Sequence, residues 1–247
     1  MFEPPLRTAD APVIQKPAHD RVVAIAEILL CSGVPTQVLI GDLLRLAGWA
    51  AQDASGHLLL PFVLTVSLAD TLVLVALMVA LTRLHGDSAT ELWLGERRVR
   101  VEIAVGLMLV PVVFIGVVVL LNVLRIFAPW LHNVPENPLE RLAGTAADAA
   151  MFALVAILAG GVREELQRAF LLRRFERHLG GAGVGVIVLS IAFGLGHFNQ
   201  GWDAVITTGA LGAFWAIVYL RRRSSVAPIV SHAGFNSLEI LRVATLG

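Results

Sequence analysis

The stretch that decides the fold is IAVGLMLVPVVFIGVVVLLNVL (Ile103–Leu124), 22 residues without a single charge. A hydrocarbon core about 30 Å thick is crossed by about 20 apolar residues in a helix. Other apolar runs with few charges flank this stretch along the chain. They are Leu58–Leu81, Leu142–Val162, Ala182–Gly196 continuing to His197 and Phe198, Ala204–Leu220, and Val226–Leu246. The sequence therefore predicts an all-α fold, a polytopic membrane helical bundle.

One further run, Val22–Leu46, is less regular. It contains Glu27, Asp42 and Arg45, and its Ser32–Pro35 segment reads Ser-Gly-Val-Pro, which is expected to break or kink a helix. The run either crosses the membrane or lies partly in the interface. The loop charges favour a crossing, and we predict about seven transmembrane helices, within a range of six to eight.

With seven spans, basic residues alternate between the two sides of the membrane. One side holds the N-terminal tail and the loops 82–101, 173–181 and 221–223, which carry most of the arginines. The other side holds 47–57, 128–141 and 199–203, where Arg141 is the one basic residue. Because basic loops stay in the cytoplasm, we expect a multi-pass protein of the cell (inner) membrane. Its N-terminus is predicted to be cytoplasmic and its C-terminus outside.

Composition supports this assignment and excludes other classes. The chain is 57% hydrophobic and 15% charged, with a mean hydropathy of +0.77, whereas soluble domains are about 25% charged. Nineteen basic residues balance nineteen acidic ones, so no net field attracts nucleic acid. A lone Cys31 permits neither an intrachain disulfide nor a cysteine zinc site. We predict a cytoplasmic tail at 1–21 and a single transmembrane domain at 22–247.

Three consecutive spans carry polar side chains at membrane depth, where ionisable groups are costly and are candidates for function. Because Glu164 and Arg168 are four residues apart, we expect them to form an ion pair on one helical face, with Glu165 needing another partner. His232 and Asn236 share a face for the same reason. We predict that all the clusters converge on one cavity. Their members are Glu164, Glu165 and Arg168, then Phe193 and His197, then His232 and Asn236.

The ordered set Glu-Glu-x-x-Arg, Phe-x-x-x-His and His-x-x-x-Asn resembles the CPBP family of intramembrane proteases. This family comprises the type II CAAX prenyl proteases and the bacteriocin-processing or Abi proteins. The resemblance covers roughly residues 140–242, the expected protease-like core. The family usually has Glu-Glu-x-x-x-Arg, one residue longer than the motif here. The resemblance therefore leaves open whether Glu164 or Glu165 is the catalytic carboxylate.

The resemblance implies an intramembrane endopeptidase. In that mechanism Glu164 or Glu165 activates a water together with His197, and His232 and Asn236 donate to the oxyanion. Arg168 would orient the carboxylate and Phe193 would pack beside His197. No required cofactor is expected. If zinc were bound, Glu164, His197 and His232 would be its ligands, although the sequence has no His-Glu-x-x-His motif.

The expected partners are the lipid bilayer and a membrane-associated peptide or protein, with no nucleic acid. Some members of the family cut next to a lipidated cysteine, but nothing in this sequence identifies a pocket for the lipid. The alternative function is a non-catalytic membrane immunity or scaffold protein, in which the same side chains form a buried polar network.

Overall fold

The computed structural model describes residues 18–246 and confirms the predicted all-α bundle. Short 3₁₀ turns lie at Pro129–Leu131, Glu140–Ala143 and Phe198–Gln200, and a π-helical segment, Ala156–Arg163, joins two α-helices. The α-helices are α1 (Ala18–Leu30), α2 (Val34–Leu46), α3 (Leu60–Leu84), α4 (Ala89–Trp93), α5 (Val99–Phe127), α6 (Ala146–Val155), α7 (Glu164–His178), α8 (Ala182–Leu195), α9 (Trp202–Arg222) and α10 (Val226–Leu246).

The protein is a multi-pass membrane protein by the length and apolar composition of its helices. Large apolar side chains point away from the bundle, as Leu72 and Met108 do with 74% and 72% of their surfaces exposed. Such side chains are suited to contact with lipid. Five helical stretches within residues 18–246 are long and apolar enough to cross a membrane: Asp20–Leu46, Leu60–Leu84, Val99–Phe127, Ala146–His178 and Trp202–Arg222.

Two of the predicted spans are outside that group. Helix α8 has 14 residues, which at 1.5 Å per residue is about 21 Å and shorter than a hydrocarbon core. Helix α10 contains Glu239 and Arg242 in its second half. The total of seven crossings therefore stays a prediction.

The predicted break in the first span is present. Helix α1 ends at Leu30 and α2 begins at Val34, with Gly33 at a φ of +88° between them. A left-handed φ costs glycine little, whereas other residues are strained there. Helix α1 begins at Ala18, so its first residues overlap the cytoplasmic tail predicted at 1–21, and that boundary stays a prediction. The remainder of that tail, 1–17, lies outside the described residues.

The largest apolar core surrounds α7. Phe170 and Leu172 are buried there against Leu74 and Met78 of α3, with Cys31 at the end of α1 completing the contact. Helix α10 packs on the other side of the bundle, against α5 and the π-helical segment, while α8 packs mainly against α9. The π-helical segment is therefore held between the apolar core and α10.

The loops sort into two ends of the bundle. At one end Arg177 forms two 2.6 Å hydrogen bonds with Asp87, and Arg223 contacts Glu176 at 2.7 Å. We call this the basic end, because the arginine-rich loops predicted to share one side meet there. At the opposite end the His132 ring is 2.8 Å from the Asp203 carboxylate, which ties the loop after α5 to the start of α9.

Candidate active site

Close approach of two backbones brings the polar clusters together. A Cβ added to Gly161 would lie 2.7 Å from Cβ of Ala233, and one added to Gly160 would lie 2.5 Å from Nδ2 of Asn236. Because these two glycines have no side chains, α10 packs directly against the backbone of the π-helical segment. This contact places His232 and Asn236 beside the first turn of α7, where Glu164 and Glu165 lie. π-Helical segments are rare and frequently occur at functional sites.

Four of the predicted site residues line one cavity of about 490 Å³ in the bundle interior: Glu164, His197, His232 and Asn236. Phe193 lines it too. Apolar walls come from α5, α6, α9 and α10, with Phe114, Phe152, Leu211 and Phe235 among them. A cavity of this kind, mostly apolar with a few convergent polar groups, is typical of a ligand or substrate site. Members of all three predicted clusters therefore line one cavity, whereas Glu165 and Arg168 are not among its lining residues.

Glu165 occupies a closed position behind the cavity. Its side chain is 1% exposed, and its two carboxylate oxygens accept hydrogen bonds from Nε and Nη2 of Arg168 at 3.0 and 3.1 Å. His232 Nδ1 also donates to it, at 2.9 Å. The predicted ion pair between Glu164 and Arg168 is therefore wrong. Residues three apart on a helix are neighbours just as residues four apart are, and His232 from α10 fixes Glu165 as the partner.

Glu164 is the carboxylate that faces the cavity. One of its oxygens is 3.2 Å from Nη2 of Arg163, and the other is 3.9 Å from Nε2 of His232. Its side chain keeps 21% of its surface accessible. Of the two adjacent glutamates, Glu164 is thus the one with room for a water molecule beside it.

The orientation of His197 is fixed by the backbone. Its Nδ1 is 2.9 Å from the carbonyl oxygen of Phe193, and because a carbonyl can only accept, Nδ1 carries the hydrogen. In the neutral ring Nε2 is then an acceptor. The Phe193 ring packs edge-on against His197 with the centroids 5.1 Å apart, and the Arg168 guanidinium lies 4.7 Å above that same ring.

His232 is held by two aromatic rings and by the hydrogen bond of its Nδ1. The Trp215 ring stacks on it with a centroid distance of 3.8 Å and an interplanar angle of 16°. Phe193 approaches edge-on at 6.2 Å. Since Nδ1 donates to Glu165, the Nε2 edge is the one that remains for the cavity side. Trp215 is a site residue that the sequence analysis missed, and nothing in its apolar surroundings in α9 distinguishes it.

Asn236 lies one turn beyond His232 on α10. Its Nδ2 donates to the carbonyl oxygen of Ala156 at 3.3 Å, which fixes the orientation of the carboxamide. The amide group has a second N–H on the same nitrogen. A single hydrogen bond to the backbone therefore positions the group and leaves one donor for a ligand in the cavity.

A second polar network, which the sequence analysis missed, supports Glu164 from behind. Arg163 is 3.3 Å from the Asp70 carboxylate of α3 through Nη1, while its Nη2 contacts Glu164. Thr36 and Gln37 of α2 also donate to Asp70. The sequence does contain a signal for this network. Asp70 is the lone charge in an otherwise apolar span, and such residues are candidates for function.

The donor groups present do not fit a metal ion. Within residues 18–246, no three His, Cys, Asp or Glu side chains are grouped so that they could hold one. Of the ligands named for zinc, Glu164 and Nε2 of His232 lie 3.9 Å apart, but among the described residues no third such side chain joins them in a group that could hold a metal. We therefore derive no chemical step through a metal.

A comparison with protein families finds a match that lies over this site. Residues 146–238 match the family described as type II CAAX prenyl endopeptidase Rce1-like. Neither the curated proteins nor the solved structures give a match. The matched segment runs from the start of α6 into α10 and includes the three predicted polar clusters. The family resemblance inferred from the motifs is thereby confirmed.

Proposed function

We propose that this chain, whose residues 146–238 belong to the type II CAAX prenyl endopeptidase family, is an intramembrane endopeptidase with Glu164 as its general base. The observation that carries the proposal is the convergence of Glu164, His197, His232 and Asn236 on one cavity inside the bundle. Unpaired polar groups are costly at that depth. Their grouping around an accessible space is what water-dependent hydrolysis requires.

The two glutamates have different roles in this proposal. Glu165 is saturated by Arg168 and His232 and is closed off from the cavity, so it acts as the counter-ion that orients the His232 ring. Glu164 has an oxygen that points toward His232 Nε2 without a hydrogen bond to it. It can therefore accept a proton from a water molecule in the cavity.

Hydrolysis then proceeds in two proton transfers. A water held between Glu164 and His197 Nε2 attacks the scissile carbonyl carbon while Glu164 takes one of its protons. The C=O bond becomes a single bond, and its oxygen carries the negative charge. Collapse of this intermediate breaks the C–N bond, and the departing nitrogen takes the proton from Glu164. The carboxylate is thereby regenerated for the next cycle.

The oxyanion is stabilised by the donors on α10. The second N–H of Asn236 is one donor, and Nε2 of His232 is the other when both ring nitrogens carry hydrogen. The negative carboxylate of Glu165 balances that form of the ring. Because the stacked Trp215 and the Glu165 hydrogen bond hold His232 in place, little reorganisation is needed as charge develops.

The test compares two glutamates that line the same cavity. Glu164→Gln keeps the shape of the side chain but removes the base, whereas Glu239→Gln makes the same change at a cavity residue paired with Arg242. New peptide termini in membranes would be quantified by mass spectrometry in cells that express the parent or either variant. We expect cleavage to be lost with Glu164→Gln and kept with Glu239→Gln.

A folded Glu164→Gln protein that cleaves as the parent does would contradict the proposal. Cleavage that is absent from the parent as well would favour the non-catalytic scaffold instead. Activity in the presence of a metal chelator is measured on the same samples. We expect no change, since the proposed steps use no metal.

A further inference from the structure

The break between α1 and α2 is tied to the helix that carries Glu164. Residues 31–33 form this break, and it deprives the carbonyl group of Cys31 of a helical partner. In a continuous helix that carbonyl would accept from residue 35, which is Pro35 and has no N–H. A backbone carbonyl without a donor is costly inside a membrane. Here Nε2 of Gln167 in α7 donates to it at 2.5 Å, so one side chain joins α7 to the break.

The same break packs against Arg163, the residue in contact with Glu164. A Cβ added to Gly33 would lie 3.3 Å from Nη1 of Arg163, and Oε1 of Gln167 is 3.5 Å from that atom. The Arg163 side chain is buried, with 9% of its surface exposed. Its position is therefore set by the groups packed around it, and the break is one of them.

The first turn of α2 reaches Arg163 by a second route, through Asp70. The Thr36 hydroxyl donates to one oxygen of the Asp70 carboxylate, and Nε2 of Gln37 donates to the other at 3.1 Å. That second oxygen is also the one 3.3 Å from Nη1 of Arg163. Because Asp70 is fully buried, the Thr36 hydrogen bond fixes the carboxylate so that its second oxygen faces Arg163. Both donors lie outside residues 146–238, the segment that matches the family.

We propose that the break between α1 and α2 positions the catalytic base, with Thr36 as a positioning residue that acts through Asp70 and Arg163. This inference rests on the proposed endopeptidase function. The Arg163 guanidinium is divided between Asp70 and Glu164, at 3.3 and 3.2 Å. While Thr36 holds Asp70 in place, the guanidinium stays shared, and Glu164 can take a proton from water. When Asp70 is free to turn, Arg163 holds Glu164 more tightly and proton transfer slows.

The test compares the same substitution at two buried threonines. Thr36→Val keeps the shape of the side chain but removes the donor to Asp70, whereas Thr82→Val removes a hydroxyl that donates to the backbone carbonyl of Met78 within α3. The substrate is a peptide that contains a bond whose cleavage in membranes depends on Glu164. We expect Thr36→Val to lower kcat about fivefold, the effect of one hydrogen bond, with KM near the parental value. Thr82→Val, and Thr36→Ser with its hydroxyl retained, should keep parental kcat per folded molecule.

Melting temperatures test the coupling without a substrate. In a Glu164→Gln protein, Asp70 is the carboxylate that remains for Arg163. Thr36→Val should therefore lower the melting temperature more in that background than in the parent, whereas Thr82→Val should cause the same drop in both.

Equal drops for Thr36→Val in the two backgrounds would overturn the inference. Parental kcat in folded Thr36→Val protein, or a loss of kcat that persists in Thr36→Ser, would overturn it as well. If no new peptide terminus depends on Glu164, the endopeptidase function fails, and the melting temperatures still decide whether the break is coupled to Glu164.

Discussion

Arg163 and Asp70 form an ion pair that connects the N-terminal half of the chain to the glutamate in the cavity. Nη1 of Arg163 is 3.3 Å from Asp70, which is fully buried in α3, and Nη2 is 3.2 Å from Glu164. The guanidinium is thus shared between two carboxylates. Arg163 lies inside the segment that matches the family and Asp70 lies outside it, so this pair joins the matched segment to the remainder of the chain.

Replacing Asp70 with Asn should lower kcat. Without Asp70, Glu164 would be the one remaining carboxylate against the Arg163 guanidinium, and Arg163 would hold more tightly the group that must accept a proton. We expect a loss of about tenfold, equivalent to ~1.4 kcal/mol in the activation barrier, with KM close to that of the parent. The measurement is steady-state cleavage, per folded molecule, of a peptide that the parent cuts.

The matched control for Asp70→Asn is Glu102→Gln. Glu102 is also fully buried and is paired with an arginine, Arg222, at 2.7 Å, but it lies outside the lining of the catalytic cavity. We expect this variant to lose stability and keep its kcat per folded molecule. Equal losses of kcat in both variants would show that Asp70 has only a structural role.

The features that could be predicted from the sequence are those that are determined by residues close together in the chain. The uncharged Ile103–Leu124 run predicts helix α5, and the Ser32–Pro35 segment predicts the break after α1, because each follows from chain composition alone. The convergence of His197 and His232 with the glutamates was also predictable, since polar groups at membrane depth must find partners.

The pairing of the glutamates could not be predicted in the same way. Glu164 and Glu165 are both close enough to Arg168 along the helix, so spacing alone leaves two solutions. His232, which is 67 residues away from Glu165 in sequence, selects Glu165. The partnership of Asp70 with Arg163 likewise depends on how α3 packs against the π-helical segment. Such choices are made by tertiary contacts between helices.

The ion pair between Arg168 and Glu165 should dominate stability. Both side chains are buried, so Arg168→Ala would leave a carboxylate without its counter-charge, which typically costs ~3–5 kcal/mol. We expect a large drop in folded yield and in the melting temperature of the purified protein. Glu164→Gln should melt close to the parent, because Glu164 faces the cavity. A parent-like melt for Arg168→Ala would show that this pair does not hold the fold.

The charge of Asp87 should make the folding stability of the protein decrease at acidic pH. Burial raises its pKa, but hydrogen bonds and charge from Arg177, with the charges of Arg173 and Arg174, outweigh this effect and hold the pKa below its ordinary value of 3.8. A carboxyl group with a lowered pKa contributes stability above its unfolded pKa. That stability is lost as the pH falls through the folded pKa.

The corresponding variant is Asp87→Asn, and its measurement is the melting temperature as a function of pH. At neutral pH the variant should be less stable than the parent by about 1 kcal/mol, because the pair is only partly buried. The difference in melting temperature between the variant and the parent should disappear as the pH falls below 3.8. A difference that persists unchanged under acidic conditions would assign the effect to packing and not to charge.

Replacing Asn236 should lower kcat much more than it changes KM. If its free N–H donates to the oxyanion, it stabilises the transition state more than the bound peptide. Asn236→Ala should then lower kcat by ~10²–10³ with little change in KM. Asn236→Asp should be at least as damaging, since it brings a negative charge to the oxyanion. Near-normal turnover in folded Asn236→Ala protein would remove the oxyanion role.

Gly160→Ala should produce a similar loss of kcat without any change to a polar side chain. The new methyl group would lie 2.5 Å from Nδ2 of Asn236, so the carboxamide must move. Because that atom is at the end of a side chain, the cost in folding stability should be small, whereas the oxyanion donor would be misplaced. The control is Gly116→Ala in α5, where a methyl group has no neighbour within 4 Å. We expect Gly116→Ala to keep parental kcat. Cleavage by Gly160→Ala at the parental rate, with a parental melt, would show that the position of Asn236 does not limit the reaction.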